Sequence, residues 1–168
     1  MATANTKSNI VTNADATPVT LTAVNLKGGR LREQVATVEI AAADDDGSTY
    51  RLFRVHTSDR VSSIEIFNDA ISGGTDFNIG AYDVADAGGA IIDGGNSWGD
   101  AVTMASARTT PTDVCYEIND VANIEQEVWE VLALTSDPNK FVDIVLTAVT
   151  VGTVAGTISA RLRYVSRT

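Results

Sequence analysis

The chain has 168 residues, 44% of them apolar and 20% charged, with a formal net charge of −10. That length suits one domain able to bury a core without disulfides or a structural metal, and that composition excludes a disordered polymer. The acidic balance argues against direct nucleic-acid binding, because contacts to phosphates need a basic surface.

Further classes fall away on residue counts. The single cysteine, Cys115, rules out an internal disulfide and a cysteine-based zinc site. Within Val114-Cys115-Tyr116 it reads as a small buried hydrophobe. No apolar run reaches the length of a membrane span. The opening Met1-Ala2-Thr3-Ala4-Asn5 lacks a charged n-region and an apolar h-region, which predicts a chain that works in the cytosol or in something assembled there.

In chain order, residues 1–30 form an N-terminal arm rich in Thr, Asn, Ser and Ala, interrupted by Pro18 and closed by Gly28-Gly29. Only Val19 to Val24 has strand character there, and the arm is expected to be extended. Residues 31–168 form the predicted folded domain. Ala36-Thr37-Val38-Glu39-Ile40 alternates as a half-buried strand does. Asp44-Asp45-Asp46-Gly47-Ser48 makes a turn, and Tyr50 to Val55 resumes extended chain. Val61 to Phe67 sets Ile64 and Ile66 against Ser63 and Glu65. After a turn at Ser72-Gly73-Gly74, Phe77, Ile79 and Ala81 alternate with Asn78, Gly80 and Tyr82. Gly88-Gly89 and Gly94-Gly95 bracket a short strand, Ala90-Ile91-Ile92.

One helix is predicted, from Ile124 to Leu134, where Ile124, Val128, Val131 and Leu132 make an apolar stripe behind an Asn123 N-cap, although Val128, Leu132 and Leu134 also share the parity of a strand. Val142, Ile144, Leu146 and Ala148 then alternate, as do Val154 to Tyr164 after a turn at Gly152, and together they predict a long hairpin. The whole predicts an all-β protein: a two-sheet β-sandwich with one short α-helix and the N-terminal arm.

Catalytic chemistry finds little to use. The single histidine lies in Val55-His56-Thr57-Ser58-Asp59. A Ser-His-Asp arrangement is conceivable there, yet no nucleophile-elbow signature surrounds it. Glu39, Glu65, Asp76, Asp83 and Glu117 fall in predicted strands, but only 6% of the chain is aromatic, which is poor material for a sugar-cleaving site. The Asp44-Asp45-Asp46-Gly47 cluster lacks the alternating ligands and terminal Glu of a calcium loop. The glycine pairs match neither GxGxxG nor a P-loop. No catalytic residue, cofactor site or metal site is assigned. The basic residues gather as Lys27, Arg30 and Arg32, as Arg51, Arg54 and Arg60, and as Arg161, Arg163 and Arg167; they suit either an acidic partner or ordinary solvated positions.

Several segments carry a resemblance. Asn5-Thr6-Lys7-Ser8 leads into Asn13-Ala14-Asp15-Ala16-Thr17-Pro18, and Gly28-Gly29-Arg30-Leu31-Arg32-Glu33 precedes the first regular strand. Ile66-Phe67-Asn68-Asp69-Ala70 runs into Gly74-Thr75-Asp76-Phe77-Asn78-Ile79-Gly80-Ala81-Tyr82, and Trp129 to Pro138 is followed by Val/Thr/Gly-rich strands. Across nearly its whole length the chain resembles small structural proteins of tailed bacteriophages, encoded among the head genes. The resemblance implies a jelly-roll-like sandwich, no catalytic residues, and a place on the virion.

The expected function is a capsid decoration or cement protein, made in the host cytoplasm and placed on the outer face of the head. Its expected partners are the major capsid protein and copies of itself, a homotrimer satisfying closed symmetry. Val19, Leu21, Val24, Arg30 and Arg163 are the expected interface residues, the arm lending a strand to a neighbour. Two other readings stay open: a tail or neck protein of the virion, and a carbohydrate-binding jelly-roll module using Trp98.

Overall fold

The computed structural model describes residues 6–73, 76–85, 89–115 and 120–167. Helix α1 spans Asn9–Asp15. Strands follow as β1 (Arg30–Ile40), β2 (Thr49–His56), β3 (Arg60–Asn68), β4 (Asp76–Asp83), β5 (Ile91–Ile92), β6 (Gly99–Thr103) and β7 (Arg108–Asp113). Helix α2 (Val128–Val131) precedes β8 (Phe141–Thr150) and β9 (Gly156–Ser166).

One four-stranded sheet runs β1-β9-β3-β7; the other runs β2-β8-β4-β5, with β6 also on β4. The strand pairs have a simple logic. The chain is a long ribbon folded in half, in which β1 meets β9, β2 meets β8, β3 meets β7, and β4 meets β5 and β6, all antiparallel. The ribbon then rolls up, so that β9 also pairs with β3 and β8 with β4. That is the jelly-roll form of the sandwich.

Alternation decides which residues point between the sheets. Ile64 and Ile66 of β3, Phe77, Ile79 and Ala81 of β4, Val142, Ile144, Leu146 and Ala148 of β8, and Ile158, Ala160 and Leu162 of β9 form one core. Cys115 joins them, and burial pushes its thiol pKa upward, which makes it inert as a nucleophile. Loops add Ile71, Trp98 and Met104, all fully buried. Pro111 sits in β7, an edge strand, where its missing N–H breaks no ladder.

Several expectations are corrected. β8 and β9 are strands as predicted, but they lie in opposite sheets and do not form a hairpin. Alternation specifies which side of a strand is buried, not which strand lies beside it. The helix is only four residues long, and Asn123 does not cap it. Its N-cap is Glu127, in a reciprocal capping box with Glu130. Val128 and Leu132 of the predicted stripe are buried as expected, whereas Ile124 is exposed. In the arm, residues 9–15 are helical, capped by Ser8, and no strand forms from 19 to 24. β6 and β7 went unread in the sequence. Glu117, Gly74, Thr75 and Gly88 lie outside the described residues.

Candidate assembly surfaces

The arm is fastened at both ends and bare between them. At its start, Asn9 Nδ2 donates to the Glu125 carboxylate at 2.9 Å. At its end, Asn25 is buried, and its carbonyl accepts from Arg60 Nε at 3.2 Å. Between these points Thr20 N donates to Asn13 O at 3.0 Å, folding the segment back along α1. Leu21 is left 92% exposed, Val19 65% and Val24 47%. Three large aliphatic side chains are thus presented to solvent within one short segment.

The sheet β1-β9-β3-β7 has an open outer face. Along it Glu33 faces Arg163, Val35 faces Arg161, and Thr37 faces Ser159. β3 adds Glu65 opposite Arg161. The charges form a chain: Arg163 Nε to Glu33 at 3.1 Å, Arg163 Nη1 to Glu65 at 3.0 Å, and Arg161 Nε to Glu65 at 2.8 Å. The Arg161 guanidinium also lies 6.0 Å from the centre of the Phe67 ring. Thr37 and Ser159 hydroxyls meet at 2.9 Å, and Thr157 Oγ1 donates to Glu39 at 2.9 Å. Leu31 (64%) and Val35 (70%) stand exposed on the same face.

The predicted interface residues therefore separate. Val19, Leu21 and Val24 lie on one short segment, and each is accessible. Arg163 is on the outer face, already paired with two carboxylates of its own chain. Arg30 opens β1 in register with Ser166, on the alternate row of the strand. Several other basic residues are likewise occupied within the chain. Arg51 and Arg54 hold Asp143, and Arg167 meets Glu127 at 3.3 Å. Arg60 donates to the Asn25 and Ile124 carbonyls.

Asp143 is a site the sequence reading missed. Its side chain is 4% exposed, on the outward side of the β2-β8-β4 sheet. Arg54 Nε reaches one oxygen at 2.7 Å, and Arg51 the other. Three positions apart on a regular strand, these arginines would point to opposite faces. A bulge at Leu52 shifts the register between Arg51 and Phe53, and so turns both toward Asp143. Burial alone would raise the Asp143 pKa, but hydrogen bonds from Arg54 and Arg51, and their charges, hold it below the ordinary value.

His56 ends β2, as expected, in a cleft of about 600 Å³ shared with Arg32, Asp137, Phe141 and Tyr164. Its Nδ1 lies 2.8 Å from Ser58 Oγ. Asp59 does not complete a triad: its carboxylate accepts from the His56 backbone N–H at 3.1 Å. Asp137 is held by Thr57 Oγ1 and the Asn139 N–H, which outweigh burial and lower its pKa. This is a turn stabilising itself. The aspartate cluster behaves similarly. Asp44 accepts from Tyr50 Oη at 2.6 Å and Ala41 N at 2.9 Å, while Asp46 accepts from Val151 N at 2.8 Å. Burial and then the Asp44 bond push the Tyr50 pKa up to about 12. Trp98, the expected sugar platform, is fully buried in the core. Trp98 directly precedes β6, at the point where the chain enters the sheet.

No known protein family matches this sequence, and no curated protein matches it. The fold does have counterparts among solved structures. In "Capsid of Ralstonia phage GP4" a chain superposes with a TM-score of 0.61 at 12% identity, over 83% of this chain and 86% of that one. In "Cyanophage Pam1 capsid asymmetric unit" a chain superposes with a TM-score of 0.50 at 11% identity, over 82% and 85%. Both counterparts are chains of similar length to this one, and what they share with it is the jelly-roll sandwich.

Proposed function

We propose that this chain is a structural protein of a tailed-phage particle, decorating and clamping the outer face of the head shell. The carrying observation is that a chain of similar size from a phage capsid has the same sandwich over more than four-fifths of its length. The bare aliphatic segment of the arm supports the reading, because a clamp needs a contact surface that its own fold leaves uncovered. Its partners in this role are the major capsid protein and further copies of itself, with a threefold arrangement closing the contacts. In this reading its role is mechanical. The glycan-binding reading has lost its aromatic platform to the core.

Quantitative mass spectrometry of purified particles tests this directly. A copy number comparable with that of the major capsid protein is expected; a single low-copy ring would move the protein to the neck or tail. A second test uses the full chain with Leu21→Asp and Val19→Asp. Both positions are exposed, so stability should change by no more than about 0.5 kcal/mol. Binding to shells lacking the protein should weaken by about tenfold or more, and unchanged binding would remove the arm from the interface.

A further inference from the structure

We propose that strand β1 is an edge that receives the β1 of a second copy of this chain, so that two molecules join their four-stranded sheets across a twofold axis. Among the described residues β1 pairs with β9 alone and ends its sheet, so its other side has no neighbouring strand. Long open edges are a hazard that folded proteins ordinarily blunt. The other edges of this sandwich are blunted. β7 is six residues long and holds Pro111, β5 has two residues, and β6 has five with a register break against β4. β2 carries the Leu52 bulge, and the Gln34 amide donates to its Arg54 carbonyl at 3.0 Å. β1 has neither proline nor bulge and runs eleven residues in unbroken register. Its carboxylates are engaged along the sheet, Glu33 by Arg163 at 3.1 Å and Glu39 by the Thr157 hydroxyl at 2.9 Å.

The order of charges along the strand selects the strand itself as occupant. Place a twofold axis beside Val35, with the two β1 strands antiparallel. Val35 then lies opposite Val35, Glu33 opposite Thr37 and Leu31 opposite Glu39, all on the outer face. On the inner row Arg30 and Arg32 lie opposite Ile40 and Val38, and Gln34 lies opposite Ala36. All eleven residues are paired and no like charges meet. Only shifts by two residues keep the outer faces of both sheets together. One such shift sets Glu33 against Glu39, and the other leaves Glu39 and Ile40 beyond the end of the second strand. Alternate facing pairs exchange two hydrogen bonds each, so the full overlap supplies roughly ten. The axis also packs Val35, 70% exposed in the single chain, against its own copy. The contact goes beyond the virion reading: it needs no particle, and its twofold closure is separate from the threefold arrangement proposed there.

Sedimentation of the full-length protein over a range of concentrations tests this, and a dimer with a dissociation constant on the order of 10 μM is expected. Val35→Glu is the breaking variant. Within one chain position 35 faces Arg161, so a glutamate there suits the fold, whereas at the axis two glutamates oppose each other. Dimerisation should weaken about tenfold or more, with melting of the dilute variant no lower than that of wild type. Leu31→Cys gives the register. Cys115 is buried, so a spin label attaches at position 31 alone. The two labels of a dimer should lie about 27 Å apart, eight residues of strand. Hydrogen exchange identifies the occupant: β1 amides aimed away from β9 should exchange rapidly in dilute protein and become protected as the dimer forms. A monomer persisting to about 100 μM, or a dimer equally tight in Val35→Glu, overturns the proposal. A label separation far from the expected one does the same. Outward β1 amides already protected in dilute protein would mean that the chain's own arm covers the edge, which also overturns it.

Discussion

The two sheets of this sandwich turn outward in different ways. The outer face of β1-β9-β3-β7 is open to solvent and carries a ladder of charges and hydroxyls around Leu31 and Val35. The outer side of β2-β8-β4 is partly roofed. The segment from Asp93 to Gly95 crosses over Gly80, and Val145, the neighbour of Gly80 on β8, is fully buried. Asp143, two positions along, is sealed beneath Arg51 and Arg54. The same kind of interaction, arginine on carboxylate, therefore sits in two dielectric environments within one fold. Under cover it must be geometrically complete, because an unpaired buried charge is expensive; in the open it is screened and replaceable.

The sharpest way to break the contrast is at the roof itself. A Cβ on Gly80 would lie 2.0 Å from the Gly95 carbonyl carbon, and backbone cannot yield as a flexible side chain does. Gly80→Ala should destabilise the fold by about 3 kcal/mol, the upper end of overpacking costs. Melting should fall by about 10 °C. A melting temperature close to wild type would show that the Asp93–Gly95 segment lifts away freely and that the roof is no part of the folded core.

Next in size is the sealed carboxylate. Asp143→Ala should cost about 2 kcal/mol, less than the roughly 3–5 of a fully enclosed pair, since Arg54 reaches solvent and can rehydrate. Acid should do the same thing reversibly. The folded pKa of Asp143 lies below its unfolded value, so its stabilisation is complete above about pH 4 and disappears as the pH falls through the folded value. Chemical denaturation of wild type and Asp143→Asn across the acid range checks this. The two curves should be separated at neutral pH and converge in acid; parallel curves would mean that the carboxylate is not held by its arginines.

These two sites also mark the limit of what the sequence discloses. Burial along single strands was readable because it depends only on alternation: Ile64 and Ile66, Phe77 to Ala81, and Ile144 to Leu146 all point inward as their parity requires. The choice of neighbour was not readable. β8 and β9 look like a hairpin locally, yet each finds a better partner far away along the ribbon. Nor could the Asp143 site be seen, because it exists only after the Leu52 bulge alters the parity of β2. Trp98 is the aromatic a glycan-binding module would have to expose, yet its indole fills the core, and nothing in its immediate neighbours encodes that choice. Among the candidate interface residues, Val19, Leu21 and Val24 are as accessible as a polar, weakly patterned arm suggests. The pairing of Arg163 with Glu33 and Glu65 follows from cross-strand register, which no single strand encodes.

The open sheet gives the smallest expected effect and the finest measure of the contrast. Arg163 and Glu33 are 38% and 47% exposed, and Glu65 is 15% exposed, so the pair nearest solvent is Arg163 with Glu33. Arg163→Ala should cost about 0.5 kcal/mol at low ionic strength. Part of that cost should vanish at about 1 M salt, where the screening length falls to about 3 Å. Arg161, which bonds Glu65 directly, keeps that carboxylate satisfied in the variant, so no buried charge is left alone. The double variant with Glu33→Ala should be no worse than the sum of its parts by more than a few tenths of a kcal/mol. Should Arg163→Ala instead cost as much as Asp143→Ala, and do so regardless of salt, then the outer face is shielded in solution. A second molecule would be the natural shield, and measuring the variant's stability over a range of protein concentrations would reveal it, because only an intermolecular cover is diluted away.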